Sequence, residues 1–508
     1  MPSRTIIFIE PQGRAGRPFN AWIGRWPLLG PITLATILSE RGYETWVYNE
    51  NVSGPLPENA AAYAEVCAAD VVGISIMTPT ASRGYALADR LRRDAPNATV
   101  VFGGVHATFM PHEALLHGDV VVRGEGENVI EAIARGDITE GVIKAEPLED
   151  LDTLPTLDYS AMRDFDKLVG RYHSPSRYPL PVMTSRGCPH NCTYCSVTRM
   201  YGRRVRRQSV EKVHRDLRQY ADQGFRRVFF YDDNLTADRR WARCLLERIR
   251  SMRMRFNAQV RADFHWADRS RHQIDAPLLR SMRRGGADVL YIGYETIDDN
   301  TAAAWKKGYR GERRLASRLA EDTQILHDNG FWIHGMFVLG PQHTEKTARG
   351  IVDFARHNRI ETMQISILTP FPGTPLYEQM RPDLMFTQYP ADWDYYDGTH
   401  CVYGHPVVGV ERFQGILLDA HRRFYAWGGS TLRRVRGLLE SRITTAEKVD
   451  LMLKHARTIR TTFKQWRADS KRFLELLRIR QAEYVQRMSL GGAQQPWSLA
   501  ETGSRETG

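Results

Sequence analysis

Short hydrophobic runs alternate with helical stretches along the first 145 residues. Five runs rich in Val, Ile and Phe predict β-strands, at residues 5–11, 44–50, 69–78, 98–108 and 118–127. The stretches at 29–43 and 81–96 repeat their apolar positions with the period of an α-helix. Buried β-rich runs separated by helices are typical of a parallel, doubly wound sheet. Residues 1–145 are therefore predicted to form a Rossmann-like α/β domain.

A second series of strands and helices begins near residue 181. Residues 146–180 are rich in Pro, Asp and Leu, show little periodicity and are interpreted as a linker. Six predicted strands then alternate with helices as far as residue 374. Polar residues follow these strands at their carboxyl ends, where α/β folds gather their sites. A second α/β domain is thus predicted over residues 181–400.

The rest of the chain is predicted to be helical over residues 401–490, with a disordered tail over residues 491–508. The whole chain has a net charge of +11, and residues 431–490 contain 15 Lys or Arg and 6 Asp or Glu. The excess positive charge therefore lies in the helical region, and the remainder is close to neutral. A solvated helical face is the simplest interpretation, and peripheral contact with an acidic membrane surface or a protein partner is the alternative. Nucleic acid is not expected, because the region lacks interleaved aromatic and basic residues.

The sequence favours a cytoplasmic protein. Its first residues predict a strand and a loop rather than a signal peptide. No stretch approaches the roughly 18 apolar residues of a membrane-spanning helix. Cys67, Cys244 and Cys401 lie far apart in the sequence and suggest no disulfide framework, as expected in a reducing compartment.

The other three cysteines share one short segment, "RGCPHNCTYCSV" at residues 186–197. Cys188, Cys192 and Cys195 have the spacing C-x3-C-x2-C. A structural zinc site would need a fourth ligand, for which His190 is available. An iron–sulfur cluster held by three thiolates would instead leave one iron open to a small molecule. The spacing by itself leaves both alternatives open.

This segment resembles the radical S-adenosylmethionine (SAM) superfamily, because Tyr194 precedes the last cysteine and a predicted strand comes directly before the loop. The resemblance extends over about residues 181–400. It implies a partial (β/α)6 TIM barrel and a four-iron, four-sulfur (4Fe-4S) cluster bound by Cys188, Cys192 and Cys195. SAM would bind the open iron and be cleaved by one electron to a 5′-deoxyadenosyl radical. An external donor of the flavodoxin or ferredoxin type would supply that electron.

The same resemblance assigns SAM contacts to the ends of the second and third barrel strands. Asp232 and Asp233 end the second strand and would pair with the methionine amino group. Arg261, at the third strand, would bind the carboxylate or the ribose. For each of these residues the alternative is a loop-capping or ion-paired role without a ligand.

Two later strand ends complete the expected SAM site. Glu295 ends the fourth strand and would accept hydrogen bonds from the ribose hydroxyls. Thr369, followed by Pro370, comes after the sixth strand and would lie at the edge of the adenine. The basic run at 202–209 would either bind a ligand or brace the cysteine loop.

The first domain carries a second resemblance. Residues 101–115 ("VFGGVHATFMPHEAL") and 119–127 ("DVVVRGEGE") resemble the cobalamin-binding domains found ahead of radical SAM cores. Ser75 and Thr78, at a predicted strand end, would bond the nucleotide tail or the corrin amides. Four glycines would let the backbone approach a large planar ligand: Gly103, Gly104, Gly124 and Gly126. The alternative is a domain that has lost cobalamin and serves as scaffold.

His106 belongs to the same candidate cobalamin site. The D-x-H-x-x-G pattern of cobalamin mutases is absent from residues 1–150, since His106 has no Asp two positions before it. The resemblance therefore implies cobalt without a protein histidine, and His106 is interpreted as a loop residue near the corrin edge. Cys67 is the one cysteine of this domain, which argues against the methylthiotransferase branch with its second cluster.

These observations predict a cobalamin-dependent radical SAM enzyme. The expected reaction transfers a methyl group to an unactivated carbon or phosphorus of a small molecule or natural product. Ring formation, rearrangement or oxidation of a tetrapyrrole or other natural product is the first alternative. A cobalamin-binding regulatory protein without turnover is the second. Residues 392–406 are expected to contribute to the substrate pocket, with Cys401 as a packed thiol.

Overall fold

The computed structural model describes residues 4–14, 26–268, 271–308, 314–426 and 445–490. Side chains are described for these residues except 445–459 and 490. The tail predicted over residues 491–508 lies outside the described residues.

The first domain is a parallel six-stranded sheet in the order β2-β1-β3-β4-β5-β6. Five strands lie where the hydrophobic runs predict them, and β6 is an additional strand of four residues whose apolar run is too short to stand out. Burial is nearly continuous along β1, as expected for a strand covered on both faces. The strands are β1 (Thr5–Glu10), β2 (Glu44–Asn49), β3 (Val71–Ser75), β4 (Thr99–Gly103), β5 (Val120–Arg123) and β6 (Gly141–Lys144).

Helices cover this sheet. The long ones follow the predicted amphipathic stretches, and several short ones were not predicted. They are α1 (Leu29–Glu40), α2 (Glu50–Ser53), α3 (Ala60–Cys67), α4 (Ala81–Asp94), α5 (Gly104–Phe109), α6 (Pro111–Leu115) and α7 (Ile130–Arg135).

The segment between the two sheets is packed rather than extended. It contains α8 (Phe165–Gly170), and Tyr159, Leu168 and Tyr178 are buried. Tyr159 donates a hydrogen bond to the backbone carbonyl of Pro181 in the first barrel strand. Apolar residues too irregularly spaced to predict an element thus anchor the segment to the second domain.

The second domain is a parallel sheet in the order β14-β13-β12-β11-β10-β7, with a separate antiparallel hairpin of β8 and β9. Six parallel strands with intervening helices agree with the predicted partial barrel. The strands are β7 (Pro179–Val182), β8 (Ser185–Arg186), β9 (Arg206–Arg207), β10 (Arg227–Phe230), β11 (Arg255–Arg261), β12 (Ala287–Glu295), β13 (Trp332–Leu339) and β14 (Thr362–Ile367). The helices are α9 (Val197–Met200), α10 (Val210–Asp222), α11 (Arg239–Ile249), α12 (Ala276–Gly285), α13 (Asp299–Ala304), α14 (Leu315–Asp328), α15 (Glu345–His357) and α16 (Pro375–Met380).

Two helices form the described part of the C-terminal region, α17 (Val410–Tyr425) and α18 (Thr445–Leu490). Residues 401–409, predicted to be helical, are not helical and lead into α17, where Gly409 precedes the first helical residue with a φ of +75°. Among the described residues, none of the helices combines the length and the apolar character needed to cross a membrane.

Candidate functional site

The cysteine loop (residues 187–196) connects β8 to α9. Gly187 begins it with a φ of +95°, and a Cβ at this position would lie 2.4 Å from the backbone oxygen of Arg204. Thr193 donates its backbone N–H to the carbonyl of Trp305 at 3.2 Å. The loop is therefore fixed by backbone contacts, and its three cysteines are free thiols of intermediate burial.

The thiols share one electrostatic environment. Burial raises the pKa of Cys188 and raises that of Cys195 to about 12, and Asp233 and the neighbouring thiols add to both shifts. In the described ranges no three His, Cys, Asp or Glu side chains are arranged to hold a single metal ion. A group of three soft ligands suits a multi-iron cluster, whose positive charge would displace the thiol protons.

The two adjacent aspartates after β10 have different surroundings. Asp232 is fully buried and accepts hydrogen bonds from the backbone N–H of Thr184 at 3.2 Å, from its hydroxyl at 2.8 Å, and from the hydroxyl of Ser185. Burial raises its pKa although these hydrogen bonds oppose the shift. Asp232 therefore links the end of β10 to the chain at Thr184 and Ser185. Its carboxylate is not directed at a ligand.

Asp233 makes no hydrogen bond or ion pair with any described residue. Burial, followed by the charge of Asp232, raises its pKa to about 7. Its charge acts on the thiols of Cys188 and Cys195, so the carboxyl group lies beside the cysteine loop. A carboxyl group without a partner at this position fits the positively charged amino group of SAM.

Arg261, at the end of β11, is held by its neighbours. Its Nε and Nη2 donate to the two carboxylate oxygens of Asp263 at 2.9 and 3.1 Å. Its Nη1 donates to the backbone oxygen of Lys307 at 3.0 Å. Burial alone would raise the pKa of Asp263, but the charge and hydrogen bonds of Arg261 lower it. The structure thus places Arg261 in an ion pair. This is the alternative to SAM binding that the sequence leaves open for this residue.

Glu295 ends β12 in a left-handed backbone conformation with a φ of +62°. The register of β12 on β13 shifts between Gly293 and Glu295, and Glu295 forms an ion pair with Lys307 at 2.8 Å. A Cβ on Gly293 would lie 2.4 Å from the Glu295 carboxylate, so a larger residue there would displace that carboxylate. A left-handed residue costs about 1–2 kcal/mol, and such strain often marks a functional site. Lys307 had no motif to reveal it in the sequence.

Tyr194 and Thr369 each have contacts within the protein. Tyr194 meets Trp305 edge to face, with ring centroids 5.8 Å apart. Thr369 is buried, donates to the carbonyl of Ile367 at 3.1 Å and accepts from the N–H of Gly398 at 3.1 Å. Its hydroxyl thus supports the turn after β14 and is already hydrogen-bonded within the protein.

Three of the four predicted glycines of the first domain have protein atoms close to the position that a Cβ would take. Gly104 has a φ of +91°, and a Cβ there would lie 2.7 Å from the backbone oxygen of Ile76. Added Cβ atoms at Gly124 and Gly126 would also meet protein atoms, at 3.1 and 3.4 Å. Packing within the chain thus explains the glycine at position 104, and the approach of the four glycines to a planar ligand stays a prediction.

Gly103 and Ser75, which are paired in the β3–β4 register, are the members of the predicted set that protein contacts leave available. A Cβ on Gly103 would have no neighbour within 4 Å. Ser75, at the end of the adjacent strand β3, pairs with Gly103 in the sheet, and its hydroxyl makes no hydrogen bond with any described residue. The carboxyl edge of β3 and β4 therefore offers free backbone surface and a free hydroxyl, which fit a large cofactor such as cobalamin lying over it.

His106 and Thr78 lie in the interior rather than at a corrin edge. His106 is fully buried in helix α5, not in a loop, because the ring of Trp393 packs on it edge to face at 5.0 Å. One ring nitrogen lies 3.2 Å from the hydroxyl of Thr78 and the other 3.4 Å from the carboxylate of Glu113. Burial lowers the pKa of His106. Both ring nitrogens thus have partners within the protein.

A buried cluster of ion pairs joins the two domains and involves the basic run whose role the sequence left open. Glu125 and Glu127, from the "GEGE" segment of the first domain, bind Arg186 and Arg206 of the β8–β9 hairpin. Arg186 donates to Glu127 at 2.6 Å, and Arg206 donates to Glu125 at 3.0 Å. All four side chains are nearly inaccessible to solvent. This interdomain ion cluster braces the hairpin that carries the cysteine loop, so Arg206 has a bracing role rather than a ligand role.

Comparison with known proteins identifies both domains. Residues 24–134 match the B12 binding domain, and residues 182–355 match the Radical SAM superfamily. The chain is 27% identical over 440 residues to the bacteriochlorophyllide d C-12(1)-methyltransferase of Chlorobaculum tepidum, covering 85% of this chain and 89% of that protein. It is 24% identical over 468 residues to the anaerobic magnesium-protoporphyrin IX monomethyl ester cyclase of Cereibacter sphaeroides, covering 84% and 73%.

Solved structures share the fold. The cobalamin-dependent SAM radical enzyme OxsB, with aqua-cobalamin bound, superposes with a TM-score of 0.65 at 13% identity, over 91% of this chain and 72% of that one. The radical SAM methyltransferase TsrM of Kitasatospora setae, with cobalamin and an iron–sulfur cluster bound, gives a TM-score of 0.58 at 16% identity, over 74% and 78%. The predicted α/β architecture of a Rossmann-like domain followed by a radical SAM core is confirmed.

Proposed function

Since the chain belongs to the radical SAM enzymes that carry a cobalamin-binding domain, we propose that it methylates an unactivated carbon of an apolar, ring-containing small molecule. Its cofactors are a 4Fe-4S cluster, SAM and cobalamin. When bound, they supply a carbon-centred radical and a carrier for the methyl group. The remaining steps depend on how this chain holds its two domains and its ligands.

The observation that carries the proposal is the interdomain ion cluster. Arg186 directly precedes the cysteine loop, and its charge is bound by Glu125 and Glu127 of the cobalamin-binding domain. Buried ion pairs with several hydrogen bonds hold their partners in one geometry. The cysteine loop is therefore fixed against the domain that would carry cobalamin, as a reaction shared between the two sites requires.

Three groups of the chain would position SAM. The thiols of the cysteine loop would hold the cluster, and Asp233 would bind the amino group of the methionine moiety. Glu295, held by Lys307, would accept hydrogen bonds from ribose hydroxyls. The assignments of Asp233 and Glu295 rest on their positions at the carboxyl edge of the barrel strands, where α/β folds bind their ligands.

The names of the relatives support the substrate class. Bacteriochlorophyllide methyltransferases and a hopanoid C-2 methylase of Rhodopseudomonas palustris are among them, and these names describe large apolar ring systems. We infer a substrate of the same class, and an external one-electron donor of the flavodoxin or ferredoxin type.

Oxidative ring formation is the second candidate, and the similarity to the magnesium-protoporphyrin cyclase favours it specifically. Methyl-deuterated SAM separates the two. With the reconstituted enzyme, a reductant and a tetrapyrrole or triterpenoid panel, carbon methylation gives a product that carries the label. A product with a new ring and no label would replace the proposal by the cyclase reaction.

A further inference from the structure

A wide groove separates helices α17 and α18 on the C-terminal side of the molecule. Its volume is about 810 Å³. The apolar side chains that line it include Leu418 from α17 and Phe463 and Leu474 from α18. These three side chains are partly exposed although they pack against the core, so they form an apolar floor.

One rim of the groove is a row of cations. Arg460, Lys464, Arg467 and Lys471 follow one another at intervals of four, three and four residues, which places them on one face of α18. All four are exposed, and none forms an ion pair with a described residue. The acidic side chain in the described lining is Glu411 of α17. Like charges at this spacing repel one another along a helix, and an external anion would relieve that repulsion.

We propose that this basic groove docks the enzyme on an anionic lipid surface. Phosphate headgroups would bind the four cations, and the apolar floor would contact the acyl region directly beneath the headgroups. An acidic protein would match the cations but would leave the apolar floor without a counterpart. The proposal does not depend on the reaction that the enzyme catalyses.

Vesicle co-sedimentation tests the groove with the full-length protein. The wild type is expected to bind vesicles of phosphatidylcholine and phosphatidylglycerol at least about a hundredfold more tightly than vesicles of phosphatidylcholine alone, since each Lys or Arg near an anionic surface contributes about 1 kcal/mol. High salt should weaken the binding, because screening shortens the reach of the charges.

Two variants with the same change in net charge locate the site. The triple variant Lys464→Gln/Arg467→Gln/Lys471→Gln should bind anionic vesicles about a hundredfold more weakly. The control Arg215→Gln/Arg218→Gln/Arg243→Gln removes three exposed cations from α10 and α11 and should bind as the wild type does.

A separate variant tests the floor. Phe463→Ser should weaken vesicle binding while leaving the binding of heparin in solution unchanged, because heparin carries charge and no acyl chains. Any of three results would overturn the proposal. The wild type could bind neutral and anionic vesicles equally, the two triple variants could lose equal affinity, or the protein could bind heparin as tightly as it binds vesicles.

Discussion

Replacement of Glu125 by Gln would break the interdomain ion cluster at its centre. Glu125 is the carboxylate that both Arg186 and Arg206 share. Glutamine keeps the shape of the side chain but removes its charge, and its amide group can accept through one oxygen only. Both guanidinium groups would stay buried with less negative charge around them.

The expected loss is large because the cluster is inaccessible to water. Removing one partner of a buried ion pair costs about 3–5 kcal/mol, mostly through the charge that remains. We expect the free energy of unfolding of Glu125→Gln to fall by about 3 kcal/mol, the lower end of that range, because Glu127 continues to bind Arg186.

Acidic pH should reduce the difference in unfolding free energy between the wild type and Glu125→Gln. Burial alone would raise the pKa of Glu125, but the hydrogen bond from Arg206 and the charge of Arg186 lower it below its usual value. A carboxylate with a lowered folded pKa stabilises the protein above its unfolded pKa of about 4.3 and loses that contribution as the pH falls. The wild type should therefore approach the variant in stability below that pH.

Chemical denaturation at neutral and acidic pH would measure both effects. The control is Glu149→Gln, because the ion pair of Glu149 with Arg204, at 2.8 Å, joins the segment after the first domain to the chain just before β9 and is mostly exposed. Exposed ion pairs contribute little to stability. The free energy of unfolding of Glu149→Gln should therefore fall by only a small fraction of the loss expected for Glu125→Gln. Equal losses in the two variants, or a difference independent of pH, would refute the role given to the buried cluster.

Three further substitutions test the cofactor sites. Asp233→Asn should weaken SAM binding to the cluster-loaded enzyme by about tenfold to a hundredfold, the value of one charge-assisted hydrogen bond, measured by equilibrium dialysis; an unchanged affinity would contradict the role of Asp233. Lys307→Met should leave Glu295 without its cation and weaken SAM binding by about tenfold in the same assay. An unchanged iron content in this variant would show that the weaker binding does not come from loss of the cluster. His106→Gln should leave the absorption spectrum of bound hydroxocobalamin unchanged, and loss of a histidine-ligated spectrum in the variant would contradict the interior position of His106.

The architecture could be predicted from the sequence because it rests on regular patterns. Continuous apolar strands and period-3.6 helices identify both parallel sheets, and the C-x3-C-x2-C spacing identifies the cysteine loop. Strand β6 is not predicted because three of its four residues, Gly141–Lys144, are only partly buried, the fourth is exposed, and the run carries little hydrophobic signal.

The sequence predicts where the residues of the candidate site lie along the strands, but it does not predict which residues they contact. The sequence places Asp232 and Asp233 at one strand end, yet only the structure separates the hydrogen-bonded residue from the free one. Lys307 lies 12 residues from Glu295, and the ion pair depends on a register shift that no local pattern predicts. The contacts of Glu125 with Arg186 join residues 61 positions apart. Such pairings follow from the packing of two domains and leave no periodic signal in either segment.

The ratio of two products tests the central claim most directly. In the presence of substrate and reductant, carbon methylation through cobalamin consumes one SAM as methyl donor and one as radical source. The account predicts S-adenosylhomocysteine and 5′-deoxyadenosine in about equal amounts, each matching the amount of methylated product. Formation of 5′-deoxyadenosine and product without a matching amount of S-adenosylhomocysteine would contradict it.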